Sequence, residues 1–91
     1  MNLKTTSQFR KDYKRCRRQG KDMRLLKNVI DELLTGKVLD PRTHDHALSG
    51  DHIGFRECHI QPDWLLIYKI DKGSLILTAV RTGSHADLLK L

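Results

Sequence analysis

Residues 53–82, IGFRECHIQPDWLLIYKIDKGSLILTAVRT, hold three β-rich runs divided by short polar turns. The runs cover about residues 53–60, 63–70 and 74–82. The turns, Gln61-Pro62 and Asp71-Lys72-Gly73, are short enough to join neighbouring antiparallel strands. The last run is apolar on both faces, which is typical of a central strand. This stretch therefore predicts an antiparallel β-meander.

Two amphipathic helices are predicted ahead of the meander, after a short strand at residues 2–5. Thr6 or Ser7 offers the capping oxygen for the first helix, which runs to Gly20. Asp22 can cap the second helix, and Gly36 is placed to end it. The first helix is expected to turn one face to the core, formed by Phe9, Tyr13 and Cys16. The apolar stripe of the second helix is formed by Met23, Leu26, Val29, Ile30, Leu33 and Leu34.

The predicted fold is a single α+β domain over residues 1–91, with two N-terminal helices packed on a small antiparallel sheet. A chain of 91 residues has room for one modest core and no second domain. Residues 37–51 lack a periodic pattern and predict a loop. A short helix or an edge-covering segment is expected at residues 84–91.

Positive charge is concentrated at the start of the chain. The net charge is +6, and residues 1–27 carry ten basic and two acidic side chains, whereas residues 28–91 carry seven basic and nine acidic ones. On a helical wheel, one face of the first helix holds Lys11, Lys14, Arg15 and Arg18. Such a face favours a polyanionic partner, nucleic acid or an acidic protein, over the alternative of a merely solvated basic surface.

The two cysteines and the apolar runs argue against a CxxC metal protein and against a membrane-spanning or secreted protein. Cys16 and Cys58 are far apart in sequence and form no CxxC metal motif, so reduced buried thiols are expected. The longest apolar run, Trp64 to Tyr68, is far too short to span a bilayer, and no secretory signal is expected. A cytoplasmic protein without membrane association is the prediction.

Side chains suited to acid-base chemistry recur at one end of the predicted sheet. Histidine has an unperturbed pKa near neutrality and can therefore serve as a base or as an acid without metal. The expected set comprises His46, His59, Asp63, His85 and the cation Arg81, with Trp64 or Tyr68 able to stack on an unpaired base. RNA cleavage by the 2′-hydroxyl needs a base, an acid and a cation against the phosphate. The set supplies all three.

Each of these residues also has a plainer interpretation. His44 and His52 lie in a loop beside acids and are expected at the surface. Trp64 can equally be a core residue, and an aspartate after a proline is usually part of a turn. A zinc site built from His44, His46, Cys58 and His59 is conceivable, but the spacing of these residues fits no common zinc module.

Taken in order, several stretches resemble the YafQ-like branch of the RelE superfamily, the messenger RNA endoribonucleases of type II toxin-antitoxin systems. The stretches are His46-Ala47-Leu48-Ser49-Gly50, Gly54 to Ile60, Pro62 to Lys69, and Arg81-Thr82-Gly83-Ser84-His85. The resemblance covers essentially the whole chain. It implies a compact fold of two helices on a small sheet.

The resemblance also implies a substrate and residue roles. Toxins of this family enter the ribosomal A site and cut the messenger there, with ribosomal RNA against the basic face of the first helix. His46, His59, Asp63 and His85 match acid-base residues, Trp64 matches an aromatic near the substrate, and Arg81 matches a phosphate-contacting cation. No metal or other cofactor is implied, and His85 or His46 is expected to protonate the leaving oxygen. Where related toxins often have an aromatic residue, this chain has Leu89, so stacking from the tail is not expected.

The implied partners follow from the same resemblance. A cognate antitoxin with an acidic neutralising segment is expected, in a toxin-antitoxin complex that is a heterotetramer and binds operator DNA only through the antitoxin. Two alternatives stay open: a noncatalytic RelE-fold binding module and a toxin directed at DNA gyrase. A free nucleic-acid reader fits the charge but lacks a helix-turn-helix or an aromatic RNP signature.

Overall fold

A computed structural model of the chain, in which residues 1–88 are described, has a helical hairpin packed on one face of a five-stranded sheet. The helices are α1 (Ser7–Arg18), α2 (Met23–Leu34) and the short α3 (His85–Leu88), and 3-10 turns lie at Pro41–Thr43 and Gly50–His52. The strands are β1 (Asn2–Thr5), β2 (His46–Ala47), β3 (Arg56–Gln61), β4 (Trp64–Asp71) and β5 (Ile76–Gly83). The expectation for Leu89 lies outside the described residues.

The helix boundaries agree with the predicted capping residues. The Thr6 hydroxyl oxygen accepts a hydrogen bond from the Phe9 N–H at 2.9 Å, and the Asp22 carboxylate accepts one from Arg24 N–H at 3.1 Å. Each side chain satisfies a backbone donor that has no partner within its helix. Gly36, at φ +77°, ends the second helix in the left-handed region that glycine adopts freely.

The sheet order is β1-β5-β4-β3-β2, and the predicted β3-β4-β5 antiparallel meander is confirmed. The sheet as a whole is mixed, because β1 pairs with β5 in parallel. A parallel partner needs a long crossover, and here most of the chain lies between the two strands. The predicted central position of the last strand is also confirmed, since β5 lies between β1 and β4.

The core lies between the helical hairpin and one face of the sheet. Its members are Phe9, Cys16, Leu26, Ile30, Leu33, Leu39, Cys58, Trp64, Leu66, Tyr68, Leu77 and Ala79. Tyr13, which was expected in this core, is instead 36% exposed, and the neighbouring Asp12 is completely buried. The inward face of α1 is therefore formed by Phe9, Asp12 and Cys16.

Asp12 and Arg15 complete the edge of the sheet beyond the end of the β1–β5 pairing. The β1–β5 pairing ends at Ala79, so the backbone of β5 beyond it faces α1. The Asp12 carboxylate accepts a hydrogen bond from Thr82 N–H at 3.2 Å, and Arg15 Nη2 donates to the Thr82 carbonyl at 2.9 Å. Two side chains of a helix thus replace the hydrogen bonds of a neighbouring strand. This contact fixes α1 against the end of β5.

Candidate active site

The predicted catalytic residues meet where β3 ends, β4 begins and β5 ends. His59 lies opposite Leu65, which in turn lies opposite Gly83, so the three strands are level at this end of the sheet. Asp63 lies in the turn between β3 and β4, and His85 follows β5. The antiparallel connections thus bring His59, Asp63 and His85 together, as predicted from the sequence.

Asp63 and His85 are joined by two hydrogen bonds. Asp63 Oδ1 lies 2.7 Å from His85 Nδ1 and accepts a second hydrogen bond from the His85 backbone N–H at 3.0 Å. These two hydrogen bonds lower the pKa of Asp63, with the nearby charges of His85 and Lys21 adding to the effect. Because an ionised carboxylate only accepts hydrogen bonds, Nδ1 of His85 carries the hydrogen. Its Nε2 is then free to exchange a proton with substrate.

A row of imidazoles extends from His85 into the loop before β3. The His85 and His59 ring centroids are 5.6 Å apart, edge to face, and the His59 and His44 centroids are 5.5 Å apart. His44 had been expected to be an ordinary surface residue. It is exposed, but its ring also contacts a candidate catalytic ring.

His46 is at the margin of this row. It lies opposite Glu57 in the β2–β3 pair, and Glu57 and His59, two residues apart, point to the same face of the sheet. His59 Nε2 is 3.7 Å from Glu57 Oε1, whereas His46 Nδ1 is 2.6 Å from the His44 carbonyl oxygen. His46 therefore shares the face of the site, with Glu57 between it and His59.

Arg81 is held in place by a carboxylate that sequence analysis missed. Its Nε and Nη2 lie 2.7 and 3.3 Å from the Asp12 carboxylate, whose side chain is fully buried, and Arg81 remains 31% exposed. Burial would raise the pKa of Asp12, but hydrogen bonds from Arg81, Gln8, Arg15 and the Thr82 N–H outweigh burial and lower that pKa. The spacing of Asp12 between Phe9 and Cys16 was the signal that could have placed it on the inward face.

Two of the predicted RNA-binding residues have different roles. Trp64 is only 1% exposed, and its Nε1 donates to the Thr82 hydroxyl at 2.9 Å, so its indole packs in the core and cannot stack on a base. Arg15 turns inward, because its Nη2 donates to the Thr82 carbonyl at the edge of β5. It lies 2.9 Å from Asp12 and 3.5 Å from Asp87. Lys11, Lys14 and Arg18 are exposed and form the basic face of α1.

One group of side chains near the row has metal-ligand character. Glu57, His59 and His85 each offer a ligand atom, and these atoms lie within 4.8 Å of one another. Two imidazoles and a carboxylate are a donor set that suits zinc and copper. The alternative zinc set that includes Cys58 is wrong: Cys58 points to the opposite face of the sheet from His59, and burial raises the pKa of its thiol to about 12.

Fold and site together define a small RelE-like α+β domain with an imidazole-rich site at one end of its sheet. A family model described as the bacterial toxin of type II toxin-antitoxin system, YafQ, matches residues 1–90. The chain therefore belongs to the YafQ family of bacterial type II toxins. Among the described residues, no helix has the length and apolar character needed to cross a membrane.

Individual relatives are similar to this chain over nearly its whole length. The mRNA interferase toxin YafQ of Escherichia coli K12 is 38% identical over 89 residues, which cover 96% of this chain and 94% of the relative. The E. coli DinJ-YafQ complex contains a chain with a TM-score of 0.88 and 36% identity, with 96% of each chain covered. A copper-bound mutant toxin from Helicobacter pylori has a TM-score of 0.91 and 39% identity, covering 97% of this chain and 98% of its own.

Proposed function

We propose that this toxin is an endoribonuclease that cuts messenger RNA in the ribosomal A site and thereby stops translation. The observation that carries the proposal is the contact between Asp63 and His85, at 2.7 Å, beside the ring of His59. Two positioned imidazoles at an exposed sheet end are what acid-base cleavage of RNA requires. The E. coli relative, named an mRNA interferase, supports the same activity.

The proposed reaction is attack of a ribose 2′-oxygen on the adjacent phosphorus. His59 accepts the proton of the 2′-hydroxyl, and His85 gives a proton from Nε2 to the departing 5′-oxygen. A bond from the 2′-oxygen to phosphorus forms as the bond to the 5′-oxygen breaks, leaving a 2′,3′-cyclic phosphate and a 5′-hydroxyl. Asp63 orients the acid, and His46 lies at the margin as a second proton carrier.

Arg81 is proposed to stabilise the negative charge that builds on the phosphate. Arginine has five N–H donors, of which two, on Nε and Nη2, bond to Asp12. The remaining donors are available to phosphate oxygens. Because Asp12 holds the guanidinium in place beforehand, little reorganisation is needed as the charge develops. Asp12 is thus a positioning residue.

The partners are assigned from charge and from the relatives. The exposed Lys11, Lys14 and Arg18 are proposed to contact ribosomal RNA, since lysine and arginine neutralise phosphates. The solved DinJ-YafQ complex supports a cognate antitoxin, proposed to be acidic, to form a heterotetramer with this toxin and to supply the operator contacts. Because ribosomes and messenger are the targets, the proposed place of action is the cytoplasm.

The proposed chemistry needs no metal, and a transition metal ion should oppose it. The copper-bound H. pylori toxin shows that a related fold can hold such an ion. In this chain the fitting ligands are Glu57, His59 and His85. A metal bound there would occupy ring nitrogens of both imidazoles, so that His59 could not accept a proton and His85 could not carry one to the leaving oxygen. We therefore propose that a metal ion bound by Glu57, His59 and His85 inhibits the toxin.

The decisive experiment tests the acid and the base separately on programmed ribosomes with a defined messenger. The His85→Gln variant should not cut normal RNA. It should cut a messenger with sulfur in place of the 5′-bridging oxygen, because a thiolate departs without a proton. His59→Gln should stay inactive on both messengers. His52→Gln, a change at an exposed loop histidine, is the control and should cut normally.

Two outcomes would overturn the proposal. If His85→Gln cuts the normal messenger as fast as the unaltered toxin, His85 is not the acid. If well-folded toxin cuts no RNA with or without ribosomes, the gyrase-directed and noncatalytic alternatives take its place.

A further inference from the structure

An open cleft of about 580 Å³ borders the row of imidazoles, and its lining residues other than His59 have no part in the proposed proton transfers. It lies between the 3-10 turn at Pro41–Thr43 and the end of β3. Its polar lining includes Arg42, His44, His59 and Gln61. Because His59 belongs both to the cleft and to the proposed acid-base pair, a group bound in the cleft lies beside the scissile phosphate.

His44 presents its ring to this cleft from a strained backbone conformation. Its φ and ψ are 49° and 41°, in the left-handed region that non-glycine residues seldom occupy. Glycine would be comfortable at this position, so the backbone alone does not require an imidazole. Strain retained at a residue beside a candidate active site points to a role for its side chain.

The segment that carries His44 is anchored on both sides. The Asp40 carboxylate accepts a hydrogen bond from Arg42 N–H at 2.9 Å and starts the turn. On the other side Asp45 accepts hydrogen bonds from the Tyr68 hydroxyl and from Arg56 Nη2, the latter at 3.1 Å. Since Tyr68 is a core residue of β4, the loop is tied to the sheet. The backbone that presents His44 is therefore anchored, which lowers the entropic cost of binding.

We infer that this cleft binds the base of the nucleotide next to the cleavage point, with the base stacked on His44. Unpaired RNA bases are recognised by stacking on aromatic, histidine or arginine planes and by hydrogen bonds to their edges. Trp64 is buried and cannot serve, whereas His44 is exposed. The Gln61 amide and Nη1 of Arg42, whose Nε and Nη2 bond to Asp40, supply donors, and Gln61 an acceptor, for the edge of the base. The inference rests on the proposed nuclease function.

The test uses short 2′-O-methyl oligonucleotides of A, C, G or U, which bind without being cut. Addition of the preferred oligonucleotide should shift the ring signals of His44 in NMR spectra and leave those of His52 unmoved. His44→Gly should weaken binding by about 5- to 100-fold, the range expected when one stacking interaction is removed. His44→Tyr should restore most of the affinity.

Glycine adopts the backbone conformation of position 44 without strain, so His44→Gly should fold normally, and recovery of affinity in His44→Tyr assigns the loss to the ring. On ribosomes the same variant should raise KM and relax the base preference at the cut sites, with the shape of the pH-rate profile unchanged. Equal affinity of His44→Gly and unaltered toxin for all four oligonucleotides would overturn the inference. So would an altered pH profile with unchanged KM, which would make His44 a proton carrier.

Failure of the proposed function gives a different result. In that case the unaltered toxin cuts no messenger on ribosomes, whatever residue occupies position 44.

Discussion

At the scale of single residues, the proposed chemistry depends most on the contact between Asp63 and His85. Both side chains are partly open to solvent, at 71% and 45% exposure, so the contact contributes little to stability. Its value lies in holding the Nδ1 side of His85 against Asp63, so that Nε2 is directed towards the substrate. A mobile imidazole would spend much of its time with the wrong nitrogen towards the substrate.

We expect Asp63→Asn to fold normally and to cut messenger about 10- to 100-fold more slowly, as is typical when an orienting partner is removed. The amide can offer an N–H where His85 needs an acceptor, and this favours the other tautomer. Single-turnover cleavage on programmed ribosomes measures the effect. Asp51→Asn, at an exposed loop carboxylate, is the matched control. An Asp63→Asn rate equal to that of the control would mean that His85 needs no orientation.

Metal inhibition is the second prediction at this scale. Micromolar Zn²⁺ or Cu²⁺ should stop cleavage, and a chelator should restore it, because His59 and His85 cannot transfer protons while they ligate an ion. Glu57→Gln removes one of three ligands and should weaken ion binding in calorimetry by at least about tenfold, the loss typical even of a residue that only supports a ligand. His52→Gln should bind the ion as the unaltered chain does. Inhibition that is insensitive to Glu57 would place the ion elsewhere.

At this scale the convergence of the proposed catalytic residues was largely predictable, and the positions of their neighbours were not. His59, Asp63 and His85 meet because hairpin connections bring strand ends together, and the turns are readable from the sequence. His44 reaches His59 only because Asp45 is tied to Tyr68, 23 positions along the chain. No local pattern records such a contact, so His44 was assigned to the surface. The sequence allows Trp64 to be a core residue or to stack on an RNA base, and its burial shows that it is a core residue.

At the scale of elements, the contact between α1 and β5 joins the fold to the site. Asp12 lies on α1 and receives hydrogen bonds from Gln8, Arg15, Arg81 and the Thr82 N–H. The same carboxylate therefore completes a sheet edge and positions the cation of the proposed site. The sequence predicted the helix and the strand, but a polar residue on an inward helix face contradicts the amphipathic pattern, and Asp12 was missed for that reason.

Asp12→Asn should lower the free energy of unfolding by about 3 kcal/mol, near the lower end of the range for breaking a buried ion pair, because both arginines are partly exposed. Urea unfolding measures the loss. Asp31→Asn breaks the exposed pair with Lys27 and should cost no more than about 0.5 kcal/mol. Equal losses in the two variants would contradict a structural role for the buried carboxylate. Cleavage by Asp12→Asn should also slow, since Arg81 loses its anchor.

Lowering the pH should remove the contribution of Asp12 to the stability of the folded chain. Its pKa in the folded chain lies below the ordinary value of 3.8, so the unfolded chain takes up the proton first as the pH falls. The stabilisation is complete well above pH 3.8 and is lost as the pH falls through the folded-state pKa. The stability difference between the unaltered chain and Asp12→Asn should therefore shrink from about pH 6 to about pH 2.5. A constant difference over that range would show that ionisation of Asp12 does not matter.

At the scale of the whole molecule, charge and chemistry are divided between two regions. The N-terminal strand and helical hairpin carry most of the excess positive charge, while the imidazoles and the cleft lie at one end of the sheet. A basic surface on α1 can bind a large polyanion without touching the scissile bond. On the proposed function, affinity for ribosomal RNA and rate of cleavage can therefore vary independently.

The basic face of α1 should account for the salt dependence of ribosome binding. Replacing Lys11, Lys14 and Arg18 by Gln removes three exposed cations, and the slope of log affinity against log salt should fall by about two to three, close to one for each phosphate that is no longer neutralised. The variant Lys4→Gln, Lys37→Gln, Lys72→Gln removes the same charge from exposed positions outside α1 and should keep a steeper slope. Binding at several salt concentrations to ribosomes with a noncleavable messenger separates the two. If the slope falls equally in both variants, net charge alone steers the toxin. A fall confined to the first variant makes α1 the ribosome-binding surface. The cleavage rate of that variant at saturating toxin should be unchanged, because its imidazoles are intact.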